Sequence, residues 1–291
     1  MAVIRRETGT DATRVDHAGM IVTKRIPAVF LASCSIVLIA AAAPETKVDQ
    51  GWDAVQNLRF REALTLFRNS PSGNRQSELS ARLGEGVAIL HRQPTTRDNI
   101  DDSLAIFDQL IREAPGTETS LQAAYLKARL IQLHPFEPDP AAAIPLYQDV
   151  TRYYPETVLG QFAFVKASGL QLYDPETADE DRPFESISRE ASLLTDPDVR
   201  RSYHLMMAEA SHRFDYGYAY SLKHYLEAYD AGLTKPDLKA NVLTRIIVLS
   251  QRLGDIETTR ACAEVFLTEF PRDIRTTMIE DLITELDGTD S

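Results

Sequence analysis

The sequence predicts an all-α protein: about six helix-turn-helix repeats stacked in series and closed by a C-terminal capping helix. Three observations lead there. A four-position pattern recurs at a period of about 39 residues, an amphipathic segment precedes each occurrence, and no segment shows sustained strand alternation with hairpin turns.

The pattern is an apolar or aromatic anchor, a small residue three later, a ring or small residue seven later, and a break near fifteen later. Ile100, Ser103, Phe107 and Pro115 fit it, as do Pro140, Ala143, Tyr147 and Pro155, and Ile256, Thr259, Ala263 and Pro271. Phe60, Ala63 and Phe67 match as far as the ring, with Pro71 ending that segment early. Tyr218, Ser221 and Tyr225 match with Gly232 near the break. The anchors at 60, 100, 140, 218 and 256 leave gaps of 40, 40, 78 and 38. The 78-residue gap is two periods and predicts a hidden repeat whose second helix surrounds Phe184, Ile187 and Ala191.

The upstream segments 77–92, 120–133, 157–172, 199–214 and 238–253 repeat apolar residues at three- and four-residue steps, as an amphipathic helix does. Gly84, Ala124 and Ala240 each lie sixteen before an anchor, where a small residue lets two helices cross closely. Asp139-Pro140 and Asp196-Pro197 pair an N-cap acceptor with a proline at the first helical position, and Thr234 before Pro236 is a looser version. Pro115, Pro155 and Pro271 are expected to stop second helices. The polar stretches 92–99, 134–139 and 173–183 are loops inside repeats. Residues 273–287 form an amphipathic helix with Ile274, Met278, Leu282 and Leu286 on one face, read as the cap that a stack of repeats requires.

Composition narrows the function classes. The 291 residues carry 31 Lys and Arg against 43 Asp and Glu, a net charge of −12, and 44 % are hydrophobic. This apolar content supports a core and argues against wholesale disorder. An acidic chain has no basic footprint for nucleic acid. Cys34 and Cys262 are the only cysteines, so a disulfide scaffold is excluded.

The N-terminus reads as an address. Residues 26–43 are apolar and uncharged, Lys24 and Arg25 precede them, and small alanines end the run. Residues 1–43 are therefore assigned to a lead and signal peptide or anchor, 44–272 to the repeats, and 273–291 to the cap helix and tail. A signal peptide cleaved after Ala43 is the first reading, with an uncleaved anchor and lipidation at Cys34, within Leu31-Ala32-Ser33-Cys34, as alternatives. Met20 fits the start of such a signal better than Met1. Basic residues before the run place the repeats outside the membrane. Beyond residue 43 the chain holds 26 positive and 40 negative side chains, a net of −14, which suits solubility and gives anionic lipid no clustered Lys and Arg.

Residues 47–272 resemble the tetratricopeptide repeat family. The resemblance is strongest in IDDSLAIFDQLIREAPGTETSLQAAYLKARL (100–130) and PAAAIPLYQDVTRYYPETVLGQFAFVKASGL (140–170). Their rhythm of small residue, aromatic and Tyr-Pro is similar to the bacterial envelope branch, which includes the outer-membrane assembly lipoprotein and the Tol-Pal-associated coordinator. The tryptophan, leucine, glycine and tyrosine set of the family's first helices is mostly missing, and Trp52 is the only tryptophan. The resemblance implies a right-handed superhelix whose first helices line a concave groove. It puts Tyr125, Arg129, Tyr203 and Met207 forward as groove residues.

Catalytic patterns are scarce. No HExxH pair, glycine-rich phosphate loop or GxSxG elbow occurs. His204 and His212, eight apart, define a metal site with Glu209 only on a loose reading, and helix-surface packing is preferred. His91 near a helix end is expected to be favoured in its charged form. Cys262 among Ala261, Ala263 and Phe266 reads as a buried small residue. Glu185-Ser186 matches a dipeptide of lytic transglycosylases, without the separate domain that they need. Six tyrosines lie between 203 and 229. Tyr218 and Tyr225 are assigned to the core, and Tyr216 and Tyr220 are left free.

The expected function is a non-enzymatic scaffold of the bacterial cell envelope, exported across the inner membrane and holding a protein or peptide partner in its groove. No cofactor, metal or nucleic acid is expected, and contact with membrane is expected only through residues 26–43 where these are retained. Two alternatives are a subunit of an outer-membrane assembly or export complex and a non-catalytic helical module beside a peptidoglycan-acting enzyme.

Overall fold

The computed structural model describes residues 46–70, 73–178 and 182–289. The chain divides into Met1–Pro44 and Glu45–Ser291, and the second unit holds all the described residues. The apolar run 26–43, Met20, Cys34 and Ala43 lie outside them.

The described residues form thirteen α-helices and no strand. These are α1 (Lys47–Gln56), α2 (Phe60–Arg68), α3 (Arg75–His91), α4 (Arg97–Glu113), α5 (Glu118–Gln132), α6 (Pro140–Tyr153), α7 (Val158–Leu172), α8 (Phe184–Glu190), α9 (Pro197–Arg213), α10 (Tyr218–Asp230), α11 (Pro236–Arg252), α12 (Ile256–Glu269) and α13 (Thr276–Thr289). A single 3-10 turn, Ala191–Leu193, follows α8. From α1 to α7 and again from α9 to α13, each helix packs on the next. The odd-numbered helices α1, α3, α5, α7 and α9 also touch one another in order.

Helix ends follow from local chemistry. Asn74, Thr96, Thr117, Asp139, Thr157, Asp196 and Asp255 each accept a backbone N–H of the first turn. Thr46 and Asp49 form a reciprocal capping box at α1. Thr234 does not cap α11: its N-cap is Lys235, which makes no side-chain bond, and Pro236 supplies the preset φ instead. The second helices α4, α6 and α12 end two residues before Pro115, Pro155 and Pro271.

The recurring pattern proves to be the core of the helix pairs. The residues three after the anchors, Ala63, Ser103, Ala143, Ser221 and Thr259, are all fully buried, and Phe67, Phe107, Tyr147, Tyr225 and Ala263 lie one turn on, buried as well. Anchors in the first turn differ: Ile100 is buried in the core, whereas Ile256 and Tyr218 stand at the edge of their pairs. Tyr218 is 38 % exposed there, with its hydroxyl accepting from Arg252, so it is not the core residue its position suggested.

Close crossings use small side chains. The Phe67 ring lies between Gly51 of α1 and Gly84 of α3, where a Cβ would come within 2.5 Å and 2.3 Å of it. Buried or half-buried hydroxyls bridge other crossings. Ser103 Oγ donates to the Gly86 carbonyl at 3.0 Å, Thr151 Oγ1 to the Gly160 carbonyl at 3.1 Å, and Ser211–Ser221 and Ser250–Thr259 each pair at 2.8 Å.

The fourth pair is the irregular one. Helix α8 has seven residues, and α7 packs directly on α9. Phe184 and Ile187 of α8 close a cluster with Phe164, Val199, Tyr203 and Met207.

Helix α13 packs on α12 through a face that keeps Leu282 from the one read in the sequence but not Ile274. Ile279 is fully buried and Leu282 and Ile283 pack beside it, whereas Ile274 is 98 % exposed and Met278 half exposed. Residue 274 precedes the helix, so it never joins that face. The turn before α13 is held by Asp273, which accepts from the Arg275 guanidinium at 2.7 Å and from its backbone N–H. These bonds hold the Asp273 carboxyl down to about 2. A depressed carboxyl stabilises the fold above its ordinary titration near 3.8 and loses that effect as the pH falls towards 2. Asp273→Asn is therefore expected to lower the thermal midpoint at neutral pH and to leave it unchanged near pH 2, followed by circular dichroism. An equal loss at both pH values would assign the effect to packing instead.

Candidate functional site

The odd-numbered helices α1, α3, α5 and α7 share an open cavity of about 700 Å³. Its floor is apolar: Trp52 from α1, Leu83 and Val87 from α3, Tyr125 and Leu126 from α5, and Leu159 from α7. Gln76, Ser80, Glu118 and Gln122 add polar lining towards solvent, and the buried Thr119 lies beneath them.

Two contacts fix the aromatic floor. The Trp52 indole N–H donates to Ser80 Oγ at 2.9 Å, and its ring meets Phe67 edge to face at 5.4 Å. Tyr125 packs edge to face on the buried Tyr147 at 5.5 Å. Burial pushes the Tyr125 phenol above its ordinary value, so it stays neutral.

The four groove residues put forward from the sequence separate. Tyr125 lines the cavity. Arg129, one turn on, is exposed, and its charge, after burial, lowers the His91 pKa. That inverts the expectation for His91, because desolvation and a nearby cation outweigh the helix-end dipole; its ring stacks on Phe60 at 5.2 Å. Met207 is fully buried and Tyr203 is 3 % exposed. Both belong to the α7–α8–α9 cluster: Met207 is covered by α7, and Tyr203 edges a separate recess beside His204 and His224 instead of the cavity between α1, α3, α5 and α7.

Sequence reasoning missed Trp52, Leu83, Val87, Leu126 and Leu159. The available signal was the i, i+4 pair Leu83 and Val87, beside Gly84 and Gly86, which face Phe67 and Phe107 instead.

The tyrosine- and histidine-rich stretch gathers around α8, α9 and α10. Tyr216 stacks on Phe184 at 4.2 Å and donates to Glu185 at 2.9 Å. Ser186 donates to the Pro183 carbonyl. Glu185 and Ser186 therefore serve local packing. Tyr220 Oη lies 2.6 Å from Ser188 Oγ, and burial pushes its phenol up to about 12. His204 does not meet His212. Its Nδ1 lies 2.9 Å from Nδ1 of His224 on α10, while His212 Nε2 faces Arg245 at 3.1 Å and Glu209 is exposed. Among the described residues no three His, Cys, Asp or Glu side chains are grouped to hold a metal. Burial pushes the Cys262 thiol up to about 11, which keeps it protonated near neutral pH.

Compared with known proteins, the chain matches no family model and no curated sequence. Among the described residues no helix is long and apolar enough to cross a membrane.

Proposed function

We propose that the chain is a non-enzymatic interaction scaffold that holds an extended segment of a partner protein in the cavity between α1, α3, α5 and α7. The observation that carries this reading is the cavity's construction. Four consecutive odd-numbered helices contribute an aromatic and aliphatic floor, and Gln76 and Gln122 stand on its rim. Side-chain amides donate and accept, which suits the main chain of an extended peptide, and the floor suits its apolar side chains. A floor fixed by buried packing loses little freedom on binding.

The helix pairs are read as about six tetratricopeptide-like repeats coiled in a right-handed superhelix, and the cavity as part of its concave face. Supporting this are the sequential helix contacts and the burial of each pattern's third and seventh positions. The basic, apolar and small-residue order of 24–43 supports export, with the scaffold working in the bacterial envelope. Partnership with an assembly or export complex is one form that this scaffold takes.

A photo-crosslinking residue at Gln122 tests the reading in cells. It is expected to give a discrete adduct that the same residue at the exposed Glu264 of α12 does not give. Equal crosslinking at both positions, or none at Gln122, overturns it.

A further inference from the structure

A second cavity, of about 580 Å³, opens between α8, the 3-10 turn, α9 and α10, and it has a different chemistry. Two cations, Arg200 of α9 and Lys223 of α10, line it together with His204 and His224. Both cations are exposed, and neither has an ion-pair or hydrogen-bond partner among the described residues. This contrasts with Arg82, Lys127, Lys239 and Arg275, whose charges are matched by carboxylates at 2.6–2.7 Å. The hydroxyls of Ser188 and Tyr220 lie on the same wall. The only carboxylate of the lining is Glu185, which already accepts from Tyr216. In a chain of net charge −12, this recess gathers two cations and two imidazoles around a single carboxylate.

We infer that this cavity is a binding site for a small soluble ligand bearing a tetrahedral dianion, such as a phosphate monoester. Arg200 and Lys223 supply the fixed charge, the bonded Ser188–Tyr220 hydroxyl pair its one remaining O–H donor, and the histidine pair a proton-dependent third charge. Arginine and lysine are the usual partners of such oxyanions, and their bonds to anions are the strong, charge-assisted kind. A metal ion is the poorer occupant. Two nitrogens 2.9 Å apart stand close enough to share one, but Arg200 and Lys223 oppose a cation and no third ligand is grouped with them.

The histidine pair makes the affinity depend on pH. An Nδ1–Nδ1 hydrogen bond requires one nitrogen to donate and the other to accept, so the doubly protonated pair cannot form it. The groups that face the pair are Arg200 and Tyr203 on α9, Tyr220, Lys223 and Glu227 on α10, and Glu185 and Ser188 on α8. Without an anion, burial, the partner ring and Lys223 hold His224 down to about 4. Burial holds His204 below its ordinary value too, with Glu227 opposing. A dianion offsets the burial and the neighbouring cations and draws protons onto the imidazoles, so binding strengthens as the pH falls.

Titration calorimetry of the purified full-length protein with sodium sulfate tests this, since sulfate stays a dianion across the histidine range. One saturable site is expected, with affinity rising at least about tenfold between about pH 8 and pH 5. Arg200→Gln and Lys223→Gln are each expected to weaken it about tenfold or more, while Arg272→Gln, which removes an exposed charge elsewhere, leaves it unchanged. Inorganic phosphate is expected to compete with sulfate. Absence of saturable heat, or equal weakening by Arg272→Gln, overturns the site. Binding to phosphatidylglycerol vesicles without binding to either free anion overturns it in favour of a lipid surface.

Discussion

Phe107→Ala is expected to lower the free energy of unfolding by about 3–5 kcal/mol. The ring is fully buried between α3, α4 and α5, and it packs where Gly86 leaves no side chain, since a Cβ there would come within 2.8 Å of it. Truncation removes the ring's own burial and leaves a void that backbone crossings this close cannot collapse to fill. In a chain of this length each kcal/mol shifts the thermal midpoint by roughly 2–4 °C, so the variant melts roughly 6–20 °C lower. Urea unfolding followed by circular dichroism measures it. A loss below about 1 kcal/mol would mean that the second and third helix pairs do not share a core at this ring.

Gly160→Ala is expected to be nearly as damaging by the opposite mechanism. Gly160 lies in the first turn of α7, and its N–H donates to the N-cap hydroxyl of Thr157 at 3.0 Å. A Cβ there would fall 1.9 Å from the carbonyl oxygen of Tyr154, a backbone atom in the turn that reverses the chain after α6. A flexible side chain can swing aside, but this turn can yield only by moving α6 against α7 and breaking the Thr151 bond to the Gly160 carbonyl. Overpacking of this kind costs about 1–3 kcal/mol, and more where backbone must shift. The same urea measurement checks it, with Gly169→Ala as comparison, because a Cβ at 169 meets only Met206 at 3.6 Å. Equal stability of the two variants would show that the turn is looser than its geometry implies.

The helices were legible because their signals are local. Capping residues, prolines two residues past helix ends, and the three- and seven-residue steps of the pattern all act within one or two turns. The missing period pointed to a helix around Phe184, Ile187 and Ala191, and α8 holds the first two of these, with Ala191 in the 3-10 turn after it. What each helix faces was harder to read. A first helix is apolar towards its own pair and apolar towards its neighbours, and a 3.6-residue period does not say which stripe is which. Tyr203 and Met207 were lost to the groove for that reason: α7 covers Met207, and Tyr203 edges a separate recess. The His204–His224 contact joins residues twenty apart on two helices, so only the pairing register of α9 and α10 brings it into view. The Trp52 and Leu159 ends of the floor come from helices far apart in the chain, and no local spacing links them.

The hydroxyl bridges between helices have a mechanical consequence. Ser103 with Gly86, Thr151 with Gly160, Ser211 with Ser221 and Ser250 with Thr259 each join two helices by a short directional bond near their crossing. Sliding one helix along another stretches such a bond at once, whereas rotation about it barely changes its length. These bonds are pivots. A change of crossing angle within any of these four helix pairs accordingly turns about its pin, while the pin keeps the two helices in register.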